Sequence, residues 1–197
     1  EFRRVLFRSR MQTMAAGTAS AAGVTASVHL IAGTYSTLQN KEAAKLIHAN
    51  MQRLGKLEYT EDELHFAREL QRAMEVEATG INGQVQPLDL EPTELTGGST
   101  DLADVSWIVP TIDANVVTAP RGIPWHSWGV VAASGTSIAH KGMLYAAKVL
   151  ATTAVDLYTT PALLEAISAE FARATEGFSY QAYVPEGPPP LPARAQP

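Results

Sequence analysis

The residues best suited to chemistry are concentrated between Gly97 and Tyr145. Three segments stand out: Gly-Gly-Ser-Thr-Asp-Leu-Ala-Asp-Val-Ser-Trp (97–107), Pro-Trp-His-Ser-Trp (124–128) and Ser-Ile-Ala-His-Lys-Gly-Met (137–143). Carboxylates and imidazoles can bind a metal or transfer protons, and glycines let a ligand approach the backbone closely. If the chain takes part in a reaction, we expect these three segments to contribute.

The first segment carries two carboxylates, Asp101 and Asp104, after a pair of glycines. They could contact a metal or a metal-bound substrate. Alternatively, Ser99, Thr100 or Asp101 could cap a helix, and the spacing alone slightly favours this structural role. The backbone N–H groups around Gly98 could also bind a substrate carboxylate.

The other two segments each contain one histidine. His126 lies between two tryptophans and before an apparent strand, which predicts a position at a strand mouth, where α/β proteins form their sites. The competing interpretation is a buried histidine that donates to a backbone carbonyl. His140 precedes a helix predicted to begin near Lys141, and it could face the same cleft or simply lie in a loop. Lys141 itself is expected to be solvated.

Two mechanisms remain open from these residues. One is a metal site completed by ligands from outside this chain. The other is a serine triad in the order Ser99, Asp104, His126, which is the order found in α/β-hydrolases. The segment around Ser99 lacks the closing glycine of the nucleophile elbow, which disfavours the triad.

Helices and strands must position these residues. Apolar residues at helical spacing predict helices at 40–54, after Thr60, at 141–158 and after Pro161, and a helix that ends at Gly23. In the 141–158 helix the predicted core face consists of Met143, Ala147, Leu150, Ala154 and Leu157. Short apolar runs predict strands at 24–30, 105–109, 116–119 and 128–133. Interleaved helices and strands predict an α/β fold with a mixed sheet flanked by helices.

Composition excludes several functions. The chain of 197 residues is 46% hydrophobic, carries a net charge of −5 and contains no cysteine. Disulfides and thiolate metal sites are therefore excluded, and the acidic balance argues against binding to a nucleic-acid backbone. No apolar run is long enough to predict a membrane span.

The two ends of the chain are unusual. Residues 1–9, Glu-Phe-Arg-Arg-Val-Leu-Phe-Arg-Ser, resemble a translated sequencing adapter, so we interpret them as non-native. The Pro-rich segment 184–197 is predicted to be disordered. The remaining chain is predicted to be a C-terminal fragment of a longer protein.

Residues 11–183 resemble metallopeptidase family 20, the aminoacylase and carboxypeptidase-G type amidohydrolases. The resemblance rests on Ser-Thr-Asp followed by Asp-Val-Ser-Trp (99–107), on Trp-His-Ser-Trp (125–128) and on the segment 137–143. Within the family, the chain is most similar to the aminobenzoyl-glutamate utilisation protein B group. The resemblance implies that residues 10–36 end a lid and dimerisation domain. It also implies that 37–183 form the C-terminal part of a zinc-peptidase-like catalytic domain.

The same resemblance implies an activity, which is cleavage of the amide bond of an N-acyl amino acid such as p-aminobenzoyl-glutamate. Two zinc or manganese ions would activate water, and most ligands and the general base would lie outside this chain. No catalytic residue is therefore expected here, and the fragment alone should be inactive. The resemblance makes His126 the metal ligand, with His140 as second choice. The residues that it places near the substrate are Gly98, Ser99, Thr100, Asp101 and Asp104.

The resemblance further implies a cytoplasmic, bacterial protein that acts on a small molecule and binds neither nucleic acid nor membrane. A homodimer, or a heterodimer with a related subunit, would form through the lid domain. A non-catalytic partner subunit of a heteromeric hydrolase remains an alternative function.

Overall fold

A computed structural model describes residues 2–29, 31–91, 100–184 and 186–187, with side chains from Phe7 onward. The chain divides into two compact units, one formed by Glu1–Tyr35 with Gln181–Pro197 and the other by Ser36–Tyr180. Every regular element among the described residues is a helix, and none is a strand. The predicted mixed α/β sheet is therefore wrong. None of the helices in the described part of the chain is both long and apolar enough to cross a bilayer.

The first unit contains helix α1 (Phe2–Ala22) followed by an irregular segment. The predicted helix end at Gly23 is confirmed, since Gly23 has a φ of +68° and the amide of Val24 donates to Ala19 O at 3.0 Å. The helix also includes residues 2–9, which the sequence pattern excludes from the fold. Farther along, Tyr35 donates to Gln181 O at 3.0 Å and its ring packs 4.8 Å from that of Tyr183.

The second unit contains the remaining helices: α2 (Lys41–Leu54), α3 (Glu61–Ala73), α4 (Leu102–Val105), α5 (Trp128–Ser134), α6 (Ser137–Thr159) and α7 (Pro161–Ala174). Their ends follow local signals. Asn40 caps α2 by accepting from Ala43 N at 2.9 Å, and Gly55 ends it. Thr60 and Glu63 form the predicted capping box of α3.

The core of the second unit is built around α6. Tyr145 and Val149 of α6 pack against Ile47 of α2, and Ile167 of α7 packs against the other part of α2. The α3 side of the unit has two further apolar clusters, centred on Ala67, Ile81 and Ile138 and on Leu70, Ile123 and Ala133. These last two clusters support the segments that carry the candidate site.

All four predicted strands are absent from the described residues. The segment 24–29 is irregular and exposed, and Leu30 lies outside the described residues. The segment 105–109 is the end of α4 and a turn, and 128–133 lies within α5. Residues 116–119 form no helix, but they pair with no neighbouring strand in the described part of the chain. Short apolar runs fit a buried strand or a helix equally well, so their periodicity could not separate the two.

The α6 helix is confirmed, and its predicted core residue Leu157 packs against the core, but the other four residues of the predicted core face are exposed. Met143 and Leu150 are 60% and 55% exposed, whereas Gly142, Tyr145 and Val149 are buried. Apolar residues occur around the whole circumference of this helix, so the sequence alone did not identify the inward side. The buried side includes Gly142 because an added Cβ there would lie 2.2 Å from Val117 O.

Candidate functional site

His126 occupies an exposed turn immediately before α5. Its φ is +63°, in the left-handed region that non-glycine residues seldom adopt. The flanking Trp125 and Trp128 are 71% and 58% exposed. The position predicted at a strand mouth is wrong, because the element that follows is a helix. The turn nevertheless presents an imidazole between two exposed indoles, and residues held in strained backbone conformations concentrate at functional sites.

The base of this turn is closely packed. Ile123 is buried, and an added Cβ at Gly129 would lie 2.9 Å from its side chain and 3.0 Å from Met74 Sδ. Ser127 Oγ donates to Pro124 O at 2.6 Å and closes the turn. The left-handed backbone of His126 is therefore held by a rigid support rather than by its own side chain.

Gln71 is a buried residue that the motifs in the sequence do not single out. Its Nε2 donates to Arg121 O at 2.8 Å and to Gly80 O at 3.0 Å, and its Oε1 accepts from Gly80 N at 2.7 Å. It thereby joins α3 to the loop at 80 and to the segment that leads to His126. A signal was present in the sequence, since Gln71 is a polar residue on the inward face of α3, beside Ala67 and Leu70.

The predicted substrate segment begins outside the described residues, where Gly98 and Ser99 lie. Thr100 Oγ1 accepts from Leu102 N at 3.3 Å at the start of α4. Asp101 occupies the N-cap position, but its side chain makes no capping hydrogen bond and is exposed. The local backbone is therefore supported by Thr100, and the carboxylate of Asp101 points to no partner among the described residues.

Asp104 and the residues after it hold α4 in place. Tyr180 Oη donates to Asp104 Oδ1 at 2.9 Å. Ser106 is buried, and its Oγ accepts from Leu38 N at 2.8 Å. Trp107 Nε1 donates to Ser36 O at 2.7 Å. Asp104, Ser106 and Trp107 of the Asp-Val-Ser-Trp motif therefore connect α4, by hydrogen bonds, to residues at the start and at the end of the second unit.

The segment 137–143 begins α6 rather than preceding it, so the predicted helix start near Lys141 is wrong. His140 lies exposed in the first turn of α6. Lys141 is not freely solvated, because its Nζ donates to Glu63 Oε2 at 2.6 Å and to Glu58 O at 2.9 Å. Ser137 Oγ donates to the other oxygen of Glu63 at 2.6 Å. Two polar residues of this motif therefore dock α6 onto α3.

Glu63 is ionised by this environment despite its burial. Burial raises the pKa of the carboxyl group, but hydrogen bonds from Lys141, Ser137 and the Thr60 amide outweigh that effect and lower the pKa from 4.5 to about 2. The neighbouring Tyr59 responds in the opposite sense. Burial and the charge of Glu63 raise the pKa of its phenol to about 12. This cluster is a structural anchor, since both oxygens of the carboxylate accept hydrogen bonds from the protein.

The structure does not link the candidate residues to one another. In the described part of the chain, no hydrogen bond or ion pair joins Asp101, Asp104, His126 and His140. Nor do His, Asp and Glu side chains form a group of three that could hold a metal ion, as far as the described residues extend. The assignments of these residues to metal and substrate therefore stay predictions.

Comparison with known proteins identifies a relative among the hydrolases. The chain is 31% identical over 183 residues to a protein of Escherichia coli (strain K12) that is named as one of the subunits of p-aminobenzoyl-glutamate hydrolase. The match includes 81% of this chain but 38% of the relative, so the chain spans well under half of the relative's length. No protein-family model and no solved structure matches the chain. The segment that carries the His126 turn thus belongs to a chain similar to part of a p-aminobenzoyl-glutamate hydrolase.

Proposed function

We propose that this chain is part of a metal-dependent amidohydrolase that cleaves the amide bond of an N-acyl amino acid of the p-aminobenzoyl-glutamate kind. The observation that supports the proposal most is the His126 turn. It combines an exposed imidazole, a left-handed backbone and a rigid base in a chain similar to a hydrolase component. We assign the activity to a longer protein, because the chain corresponds to 38% of that relative.

The described residues fit a metal centre only in part. A neutral imidazole is a good ligand for zinc or manganese, and both ring nitrogens of His126 are without a partner among the described residues. One imidazole does not make a metal site, so the other ligands and the general base must come from elsewhere in the protein. Bound metals would polarise the scissile carbonyl and acidify a water molecule.

The residues of this chain then have distinct roles. His126 holds one position of the metal centre, and His140 is the second choice. The exposed indoles of Trp125 and Trp128 offer flat apolar surfaces for the aryl group of the substrate. Thr100 and Asp101 face the substrate, whereas Asp104 is oriented by its hydrogen bond from Tyr180.

A second candidate function is that of a non-catalytic partner in a heteromeric hydrolase. One observation favours it, which is that the relative is named as one subunit of its enzyme. The serine triad receives no such support. Asp104 is bonded to Tyr180 rather than to His126, and Ser99 lies outside the described residues.

The test requires the longer protein, recovered from sequence upstream in the same source. We would assay p-aminobenzoyl-glutamate hydrolysis with zinc or manganese and after chelation. We expect chelation to abolish turnover and His126→Ala to lower it about 100-fold or more. His65→Ala is the matched control, because His65 is exposed on α3 and does not belong to the three candidate segments. Turnover that survives in His126→Ala but not in His140→Ala would move the ligand role to His140.

Two further outcomes would decide between the functions. Activity that resists chelation would refute the metal mechanism. A longer protein that is inactive alone, but that raises the activity of a related protein, would establish the partner role instead.

A further inference from the structure

An open groove lies beside the His126 turn in the second unit. Its volume is about 520 Å³, within the range of small-molecule sites. One wall comes from residues between 81 and 86 and the other from the segment 115–123, with Trp125 and Val130 beyond it. Much of this lining is apolar, through Ile81, Val117, Ala119 and Ile123. The groove is therefore suited to a flat apolar group.

Arg121 gives this groove a positive charge. It is the one charged residue in the lining formed by the described residues. None of the ion pairs among the described residues involves Arg121, so its guanidinium is not neutralised by a carboxylate of this part of the chain. The adjoining groove differs, since Asp89 and Asp113 line it. Of the two grooves, the one with Arg121 favours an anion.

Two side-chain amides add hydrogen-bond donors to the same lining. Asn82 Oδ1 accepts from Gln84 N at 2.9 Å, which leaves its Nδ2 without a partner among the described residues. The amide of Asn115 makes no hydrogen bond within the described part of the chain. An anion at Arg121 would thus meet neutral donors as well as a guanidinium, and carboxylates bind to such combinations.

The backbone of Arg121 is fixed. Its carbonyl accepts from the buried Gln71 at 2.8 Å, and Gly122 turns the chain with a φ of +82°. The same short segment leads to Trp125, which lines the groove with 71% of its surface exposed, and then directly to His126. The anionic and aromatic parts of the groove are therefore connected to the predicted metal ligand by a few residues of ordered chain.

We propose that this groove binds an aryl-substituted carboxylate, with the carboxylate on Arg121 and the aryl ring against Trp125. Asn82 and Asn115 donate to the carboxylate oxygens or to the amide carbonyl of the ligand. The proposal rests on the proposed function, because it names a binding site for the same class of N-aroyl amino acid. The four residues to which it assigns roles are Asn82, Asn115, Arg121 and Trp125, which the sequence motifs did not group together.

The test is equilibrium binding to the 197-residue chain by isothermal titration calorimetry, without metal. The probes are p-aminobenzoyl-glutamate and its uncharged diamide. We expect the diacid to bind more tightly than the diamide, and Arg121→Gln to weaken diacid binding by at least about tenfold. Arg121→Lys should retain part of the affinity because it keeps the charge but not the planar fork. Arg173→Gln, at an exposed arginine in the last turn of α7, is the control and should bind as wild type does.

The contribution of the aromatic part of the groove, at Trp125, is tested separately. Trp125→Ala should weaken binding of both diacid and diamide by about fivefold or more, whereas Tyr158→Ala, at an exposed tyrosine of α6 outside the groove, should not. Circular dichroism of each variant confirms that its helices are intact. Equal diacid affinity in wild type and Arg121→Gln, or no binding of the diacid to wild type, would overturn the proposal.

Failure of the groove and failure of the proposed function give different results. If metal-dependent hydrolysis by the longer protein requires His126 but Arg121→Gln leaves KM unchanged, the groove proposal is wrong and the function stands. If Arg121-dependent binding is found but the longer protein hydrolyses no substrate, the proposed binding site stands and the proposed hydrolase function is wrong.

Discussion

Lys141, the fifth residue of α6, donates to the buried carboxylate of Glu63 in the first turn of α3 at 2.6 Å. The same carboxylate accepts from Ser137, which is the first residue of α6. One buried anion therefore determines how two helices start and how they meet. Two polar residues of the segment 137–143, Ser137 and Lys141, therefore have a structural role, which is to hold α6 against α3.

Replacement of Lys141 by methionine should destabilise the chain by about 2 kcal/mol, because it leaves Glu63 buried without its cationic donor. Urea unfolding followed by circular dichroism measures the change. Lys148→Met is the control on the same helix, since Lys148 is exposed, and it should change stability by less than about 0.5 kcal/mol. Introducing Glu63→Gln into the Lys141→Met background should recover part of the loss. Equal effects of the two lysine substitutions would contradict the anchor.

The free energy of unfolding should decrease as the pH is lowered, over a pH range that is set by the pKa of Glu63. Its pKa is about 2 in the folded chain and 4.5 ordinarily, so the unfolded chain binds the proton more readily between these values. The stabilisation is complete above pH 4.5 and is lost as the pH falls towards about 2. Unfolding free energies measured from about pH 6 to about pH 2.5 should show a shallower decline in Glu63→Gln than in wild type. Parallel curves would refute this assignment.

Gln71→Ala should lower the free energy of unfolding by about 3 kcal/mol, because it removes several hydrogen bonds and leaves the buried backbone groups of Gly80 and the half-buried carbonyl of Arg121 without partners. Gln52→Ala, at an exposed glutamine of α2, should be close to neutral. Chemical denaturation compares the two. If both substitutions are neutral, the interactions of Gln71 do not hold these loops in solution.

His126→Gly should stabilise the chain relative to His126→Ala by about 1 kcal/mol, because glycine adopts a φ of +63° without a Cβ penalty. Thermal unfolding of the two variants measures the difference. The same pair of substitutions at His140 is the control. There the glycine variant should be less stable than the alanine variant, because His140 lies in a helix. A glycine variant of His126 less stable than the alanine variant would argue against the strained turn.

Local signals in the sequence predicted the helices well. Asn40, the Thr60 and Glu63 capping box, Gly55 and Pro161 each mark a helix end that the structure confirms. These signals act through groups only a few residues apart, so they can be read without knowledge of the tertiary fold.

The errors have a common physical origin, which is interaction between distant parts of the chain. A strand exists only if another strand pairs with it, and the apolar segment 116–119 does not reveal whether a partner is present. The partner of Lys141 lies at position 63, and the partners of Gln71 lie at 80 and 121. The candidate histidines could be identified by type, but their backbone conformation and exposure could not.

The amide of Gln71 spans the two walls of the groove, since it bonds to Gly80 beside one wall and to Arg121 in the other. The spacing of those walls therefore depends on the length of a single side chain. Shortening it by one methylene group, as in Gln71→Asn, would require the walls to approach each other or one bond to break. The size of ligand that the groove accepts would in that case depend on a buried residue that is not part of the groove lining.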